Sequence, residues 1–206
     1  MNVRILVIIP LFALAAGCGR NLVAPADTAA TPASGTAAIP SARGLSVAPA
    51  ALHGRDDVVV NIHDACDPDT FNEALRNPDA CVRAGGVKFD QFVAQLTRLG
   101  FFEPWNFASS TANVRVGQTF EAINHGGETH TFTEVVEFGG GIVPFLNDLA
   151  HVPNVAPECR PEVLEADDFV APGGTYRETV AHAGHLKFQC CIHPWMRLEA
   201  SSRHEH

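Results

Sequence analysis

Positive charge is scarce in this chain: 14 Lys+Arg stand against 23 Asp+Glu, a formal net charge of −9 over 206 residues. A phosphate backbone is held by dense clusters of cations, so this balance argues against nucleic acid as a partner. An apolar run that spans a bilayer comfortably is missing at the start of the chain. Residues 5–16 are apolar but fall short of the roughly 20 residues that a crossing helix needs. No internal repeat is visible. Residues 19–50 have few large apolar groups and are rich in Ala, Pro, Ser, Thr and Gly. Such a stretch cannot bury enough surface to fold and reads as a linker.

What precedes the linker is informative. Arg4, the short apolar run and the small residues before Cys18 read as a cleavable export signal over residues 1–17. The segment Leu14-Ala15-Ala16-Gly17-Cys18 resembles a bacterial lipobox, which implies a lipid on Cys18 and a chain anchored to a bacterial membrane on its periplasmic side. Residues 18–50 are then the lipidated cysteine and its flexible linker. Without Arg4 the exported chain carries a charge near −10. Export also places the chain in an oxidising compartment, where disulfides persist.

The chemistry concentrates in Phe188-Gln189-Cys190-Cys191-Ile192-His193-Pro194-Trp195-Met196. Read from Cys190 this is C-x-x-H-x-x-M, a thiolate, an imidazole and a thioether in seven residues. Those donors suit copper above other metals, and a His₂Cys base with a weak axial Met is the donor set of a blue-copper electron-transfer site. One histidine is lacking from the loop. His125 and His130, in Asn124-His125-Gly126-Gly127-Glu128-Thr129-His130, are the two candidates to supply it.

Cysteine parity bears on the same question. With Cys18 assigned to lipid, Cys66, Cys81, Cys159, Cys190 and Cys191 remain, an odd number, so at least one thiol stays out of intramolecular disulfides. If Cys190 is bound to metal, Cys66 with Cys81 and Cys159 with Cys191 is the natural pairing. A Cys159 to Cys190 bridge, which would destroy the site, and a vicinal Cys190 to Cys191 bridge are the competing arrangements.

Element signals divide the folded part. Residues 57–62 read as a strand, Asp67-Pro68 as the start of a short helix to about Arg76, and Asp90 as the start of a second helix stopped by Gly100. The second helix carries Phe89, Phe92, Val93, Leu96 and Leu99 at helical spacing, and Phe101, Phe102, Trp105 and Phe107 read as core filling after it. Residues 51–106 are therefore expected to form a helical N-terminal extension packed on a β domain. From Asn113 onward short alternating runs separated by Gly and Pro turns predict a β-sandwich over 107–206, interrupted by a loop-like insertion at 139–172 with a short helix near 145–150. The acidic residues Glu158, Glu162, Glu165, Asp167 and Asp168 read as a solvated part of that loop.

A strand ending in Asn124, a ligand His130 after a short loop, and the late Phe188-x-Cys190-x-x-His193-x-x-Met196 segment together resemble the cupredoxin family of blue-copper proteins. The closing loop is most similar to the amicyanin and plastocyanin type, and the resemblance covers about residues 107–200. It implies a mainly β, Greek-key sandwich holding one type 1 copper, with His130, Cys190 and His193 as equatorial ligands and Met196 as the weak axial one. It implies that Asn124 cross-links the two ligand loops and that His193 reaches the surface in an apolar patch with Pro194 and Trp195, forming an electron exit. Thr131 stands where the family often has asparagine: a backbone N–H to the sulfur survives the change, and the side-chain tether is put in question. The function implied is single-electron transport between redox partners, such as a cytochrome or a membrane or periplasmic oxidoreductase. Four protein donors on one copper leave no clear position for a substrate, so an enzyme is not expected. A copper carrier or sensor, or a metal-free module of the same fold, are the other functions compatible with these residues.

Overall fold

The computed structural model describes residues 57–204, which fall within one compact unit, 48–206. The export signal, Cys18 and the linker lie outside the described residues. Ten strands and three α-helices make the chain mainly β among the described residues: β1 (Val58–His63), α1 (Pro68–Leu75), α2 (Phe89–Leu99), β2 (Asn106–Phe107), β3 (Thr111–Arg115), β4 (Thr119–Asn124), β5 (His130–Thr131), β6 (Thr133–Glu134), α3 (Pro144–Leu149), β7 (Phe169–Val170), β8 (Thr175–Thr179), β9 (Gly184–Gln189) and β10 (Arg197–Arg203). One sheet runs in the order β2-β1-β4-β8 and the other β3-β10-β9-β6, with β5-β7 as a separate two-stranded ladder. Both large sheets are mixed, since β1 runs parallel to β4 and β3 parallel to β10.

Period-two burial explains why these segments pair face to face. β4 buries Phe120, Ala122 and Asn124 on one side, while β9 buries Leu186 and Phe188, and β10 buries Leu198, Ala200 and Ser202. Phe120 from one sheet meets Phe188 from the other with ring centroids 5.0 Å apart, and Phe132 stacks on Phe188 at 4.5 Å. These rings join the two layers directly beneath the loops that follow β4 and β9. Among the described residues no helix is long and apolar enough to cross a membrane.

The segment before residue 107 is more than an extension packed on the sandwich. β1 is hydrogen-bonded into the sheet between β2 and β4, with Val60 opposite Ala122 and Ile62 opposite Asn124. Its alternating Val60 and Ile62 have the same inward face as β4, so burying them requires a place in the sheet. The helices follow from local signals. The Asp67 side chain accepts from Thr70 N at 3.0 Å to cap α1, and Gly100 ends α2 with φ 74°. α2 begins at Phe89, one residue before the expected Asp90, because the Gln91 side chain accepts from Lys88 N and sets the first turn there.

Phe71, Phe92 and Trp105 are buried together, with Phe92 and Trp105 rings 4.7 Å apart. Leu99 and Phe101 depart from the expected core: both are more than 40% exposed, because the chain turns away from the helix face at Gly100. The helix expected near 145–150 is α3, and the insertion packs a small cluster of Val135, Ala156, Cys159 and Cys191 beside the main core.

Two disulfides, Cys66–Cys81 and Cys159–Cys191, close this architecture and leave Cys190 as a buried free thiol. The first closes a 15-residue loop around α1. Removing it with Cys66→Ala and Cys81→Ala is expected to cost about 3 kcal/mol through the freedom restored to the unfolded chain. For a domain of this size that is a fall in Tm of roughly 6–12 °C, measurable by calorimetry under oxidising conditions.

Candidate metal centre

Two loops at one end of the sandwich converge. The first leaves β4 at Asn124 and re-enters the β structure at His130. The second leaves β9 at Gln189 and returns at β10. The second loop is closed on itself: Cys190 N donates to Met196 O at 3.0 Å, and Met196 N donates to His193 O at 2.9 Å. A short loop tied at both ends points its side chains inward with little freedom.

At the convergence, Cys190 Sγ lies 3.8 Å from His130 Nδ1 and 3.7 Å from His193 Nδ1. These three donor atoms lie within 4.8 Å of one another, and all three residues are buried. Met196 is also buried, in the same loop. The sulfur receives two backbone N–H groups, from Thr131 and from His193, each at 3.4 Å. Donors aimed at a sulfur favour the thiolate. Burial opposes ionisation of Cys190, but the hydrogen bonds and charge of His130 and His193 outweigh it and hold the thiol well below its ordinary range.

Both imidazoles turn Nδ1 to the sulfur because Nε2 is occupied elsewhere. His130 Nε2 meets Asp64 Oδ2 at 2.9 Å, with the two side chains 0% and 1% exposed. Asp64 also accepts Gly127 N and Glu128 N, each at 2.9 Å, so it shapes the first ligand loop while it holds the ring. A Cβ on Gly126 would stand 1.9 Å from Asp64 Oδ2, which closes that position to any larger residue. Burial works against the Asp64 charge, but His130 and the two backbone N–H groups bring its pKa down to about 2. His130 is desolvated too, yet its bonds to Asp64 and Cys190 raise it to about 9. A metal held between Nδ1 and Sγ would displace the protons those atoms carry.

His193 Nε2 faces Glu128 Oε2 at 3.7 Å, and that same oxygen accepts Trp105 Nε1 at 2.5 Å. Burial raises the Glu128 pKa against the opposing pull of His193 and Trp105.

Several residues singled out in the sequence take other places. The His193 ring, expected at the surface, is 3% exposed: Trp195 lies edge-on to it at 5.4 Å and Glu128 stands over Nε2. Pro194 is buried as well and Trp195 half-buried, so the surface patch expected around the histidine is reduced to part of the Trp195 ring. Asn124 does not join the two ligand loops. Its side-chain hydrogen bonds among the described residues go to Glu128 O and Val170 O and come from Gly126 N, which ties the first loop to β7 instead.

The cross-link is made by Thr131, whose Oγ1 accepts Cys191 N at 2.8 Å. A threonine hydroxyl at the end of β5 is close enough to do what the longer asparagine was expected to do. His125 lies outside the site, exposed, with Nε2 2.8 Å from Asn61 Oδ1 and its ring stacked on His63. His182 and His185 are exposed. Asp64, Glu128 and the indole N–H of Trp105 carried no signal in the sequence. The one hint for Asp64 is its place between the inward strand β1 and the disulfide at Cys66.

The fold and the side chains together define a mainly β sandwich that buries a His₂Cys group between two loops at one end. No protein-family model matches the chain, and no curated protein does. Among solved structures it is similar to amicyanin from Paracoccus versutus, at 14% identity and a TM-score of 0.35, over 72% of this chain and 83% of that one. It is similar also to the Cu(I) form of a methionine-to-alanine mutant of amicyanin, at 20% identity and a TM-score of 0.32, over 48% of this chain and 73% of that one. An oxidised methionine-to-lysine mutant aligns at 16% identity and a TM-score of 0.35, over 71% and 82%. The likeness is one of outline.

Proposed function

We propose that this chain is a cupredoxin-type electron carrier with one type 1 copper, held by His130, Cys190 and His193 with Met196 as the weak axial donor. The observation that carries this reading is the buried His₂Cys group, built around the free cysteine of the described residues. Its spacing suits a metal. A trigonal ion with bonds of about 2.3 Å to sulfur and 2.0–2.1 Å to nitrogen sets each N···S separation at roughly 3.8 Å. The two N···S separations here are 3.8 and 3.7 Å. Bound copper would supply a one-electron couple, Cu(II)/Cu(I).

The residues around it serve that couple by staying still. Loop closure at Met196, the Thr131 tether and the Asp64 bond to His130 restrict each donor, so little rearrangement opposes electron transfer. His130, Cys190, His193 and Met196 are each at most 2% exposed, which favours passing electrons over binding a substrate. Outside the described residues, the lipobox at Cys18 and the linker would tether the domain to a membrane facing the periplasm. A membrane-bound or periplasmic redox protein is then the partner within reach.

Copper-loaded protein is expected to show an intense visible thiolate-to-copper absorption and the narrow copper hyperfine splitting of a thiolate-bound Cu(II) in EPR. Absence of both would remove the reading. Slow electron self-exchange together with freely exchangeable Cu(I) would turn it towards a copper carrier.

A further inference from the structure

Two carboxylates stand behind the two ligand imidazoles, and one comes from a part of the chain far from either ligand loop. Asp64 lies 66 residues before His130, between β1 and the Cys66–Cys81 disulfide. Its position is fixed from both sides: β1 is locked into the sheet beside β4, and Cys66 is bonded to Cys81. One oxygen, Oδ2, takes both His130 Nε2 and Glu128 N, and the other takes Gly127 N. On the second histidine, Glu128 Oε2 lies 3.7 Å from Nε2 and is anchored by Trp105.

Resting on the copper reading above, we propose that Asp64 is a positioning residue of the metal centre, which fixes His130 with Nδ1 as its ligand atom and lowers the reduction potential; Glu128 does the same more weakly for His193. A carboxylate on the outer nitrogen of a ligand histidine fixes the tautomer and makes the ring a stronger donor. A buried negative charge also favours the more highly charged Cu(II) over Cu(I), because little solvent screens it. The ranking follows from geometry, since Asp64 makes a direct hydrogen bond and Glu128 only a longer charge contact. The segment before residue 107 would then be part of the centre itself.

The test compares the full chain with Asp64→Asn and Glu128→Gln, each loaded with copper. Outer partners of metal ligands contribute 10–100-fold to affinity. Asp64→Asn is expected to weaken Cu(II) binding by that factor while Cu(I) binding falls less, and each tenfold difference raises the potential by 59 mV. Glu128→Gln should move it in the same direction by less. A purely structural role would weaken both oxidation states equally and leave the potential where it was, and an unchanged potential in folded Asp64→Asn overturns the proposal.

Should Asp64→Asn fail to fold, zinc-loaded wild type decides through nitrogen-15 NMR. His130 is expected to keep a slowly exchanging proton on Nε2 with the metal on Nδ1; metal on Nε2, or rapid exchange of that proton, overturns the assignment. The zinc experiment does not depend on copper. A wild type without the charge-transfer band would remove the electron-carrier reading while the role of Asp64 was still being measured.

Discussion

A Cys190→Ala chain is expected to lose the visible absorption of the copper-loaded protein entirely, together with the stability that metal confers. Cys190 is the free cysteine among the described residues, so no other thiolate there can replace it. Two imidazoles and a thioether remain, and the charge transfer that gives the colour has lost its sulfur donor. The thermal effect should be as large as the optical one. A ligand at a thousand times its Kd stabilises the state that binds it by about 4 kcal/mol. In a domain of this size that is roughly 8–16 °C in Tm.

Wild type should show such a rise on adding copper and Cys190→Ala should show almost none. Met196→Leu is the control, because the weak axial donor tunes the potential without supplying the sulfur of the band. It should keep the colour and move the potential. Colour that persisted in Cys190→Ala would mean that its sulfur donor is not Cys190 and would remove the assigned ligand set.

What the sequence makes legible here is what lies close together along it. Cys190, His193 and Met196 share one loop, and His130 follows a strand that ends in Asn124, so the donors could be assembled from spacing and a family resemblance. The disulfide pattern was narrowed by parity, although the choice between Cys159–Cys191 and its rivals needed the fold. Partners far apart in sequence left little trace. β1 could be read as a strand from its valines, but nothing in it says that it will lie parallel to β4, some 60 residues later.

β10 escaped altogether. Its Leu198 and Ala200 alternate with Arg197, Glu199 and Ser201, a composition with weak strand preference. It becomes a strand because β9 and β3 offer it hydrogen bonds on both edges. Asp64 is the clearest case. A lone aspartate has no motif, and only the fold brings it to a histidine 66 residues away. The burial of His193 was hidden for the same reason: Glu128 is held over its ring by Trp105, which lies far from both in the sequence and in a segment whose packing could be anticipated but whose target could not.

That cover leads to the second large effect. Trp105 is 1% exposed and packs against Phe71, Phe92 and Phe102, while its indole N–H is donated to Glu128 beside His193. It thus pins the helices to the His₂Cys group. Trp105→Ala is expected to cost about 3–5 kcal/mol through the cavity it leaves. A further 1–3 kcal/mol should follow from leaving the Glu128 oxygen buried without its donor.

Trp105→Phe separates the two contributions, since it keeps most of the ring packing and loses only the hydrogen bond. It should fall near the smaller figure in denaturant unfolding. The two variants should also differ at the site. The cavity left by Trp105→Ala opens beside Glu128 and His193, so a small-molecule oxidant should react faster with its reduced copper protein than with wild type or Trp105→Phe, whose ring still fills that space. If Trp105→Ala instead changed stability by no more than about 0.5 kcal/mol, as a surface substitution does, the helices would not be seated on the centre and the shielding of His193 would need another cause.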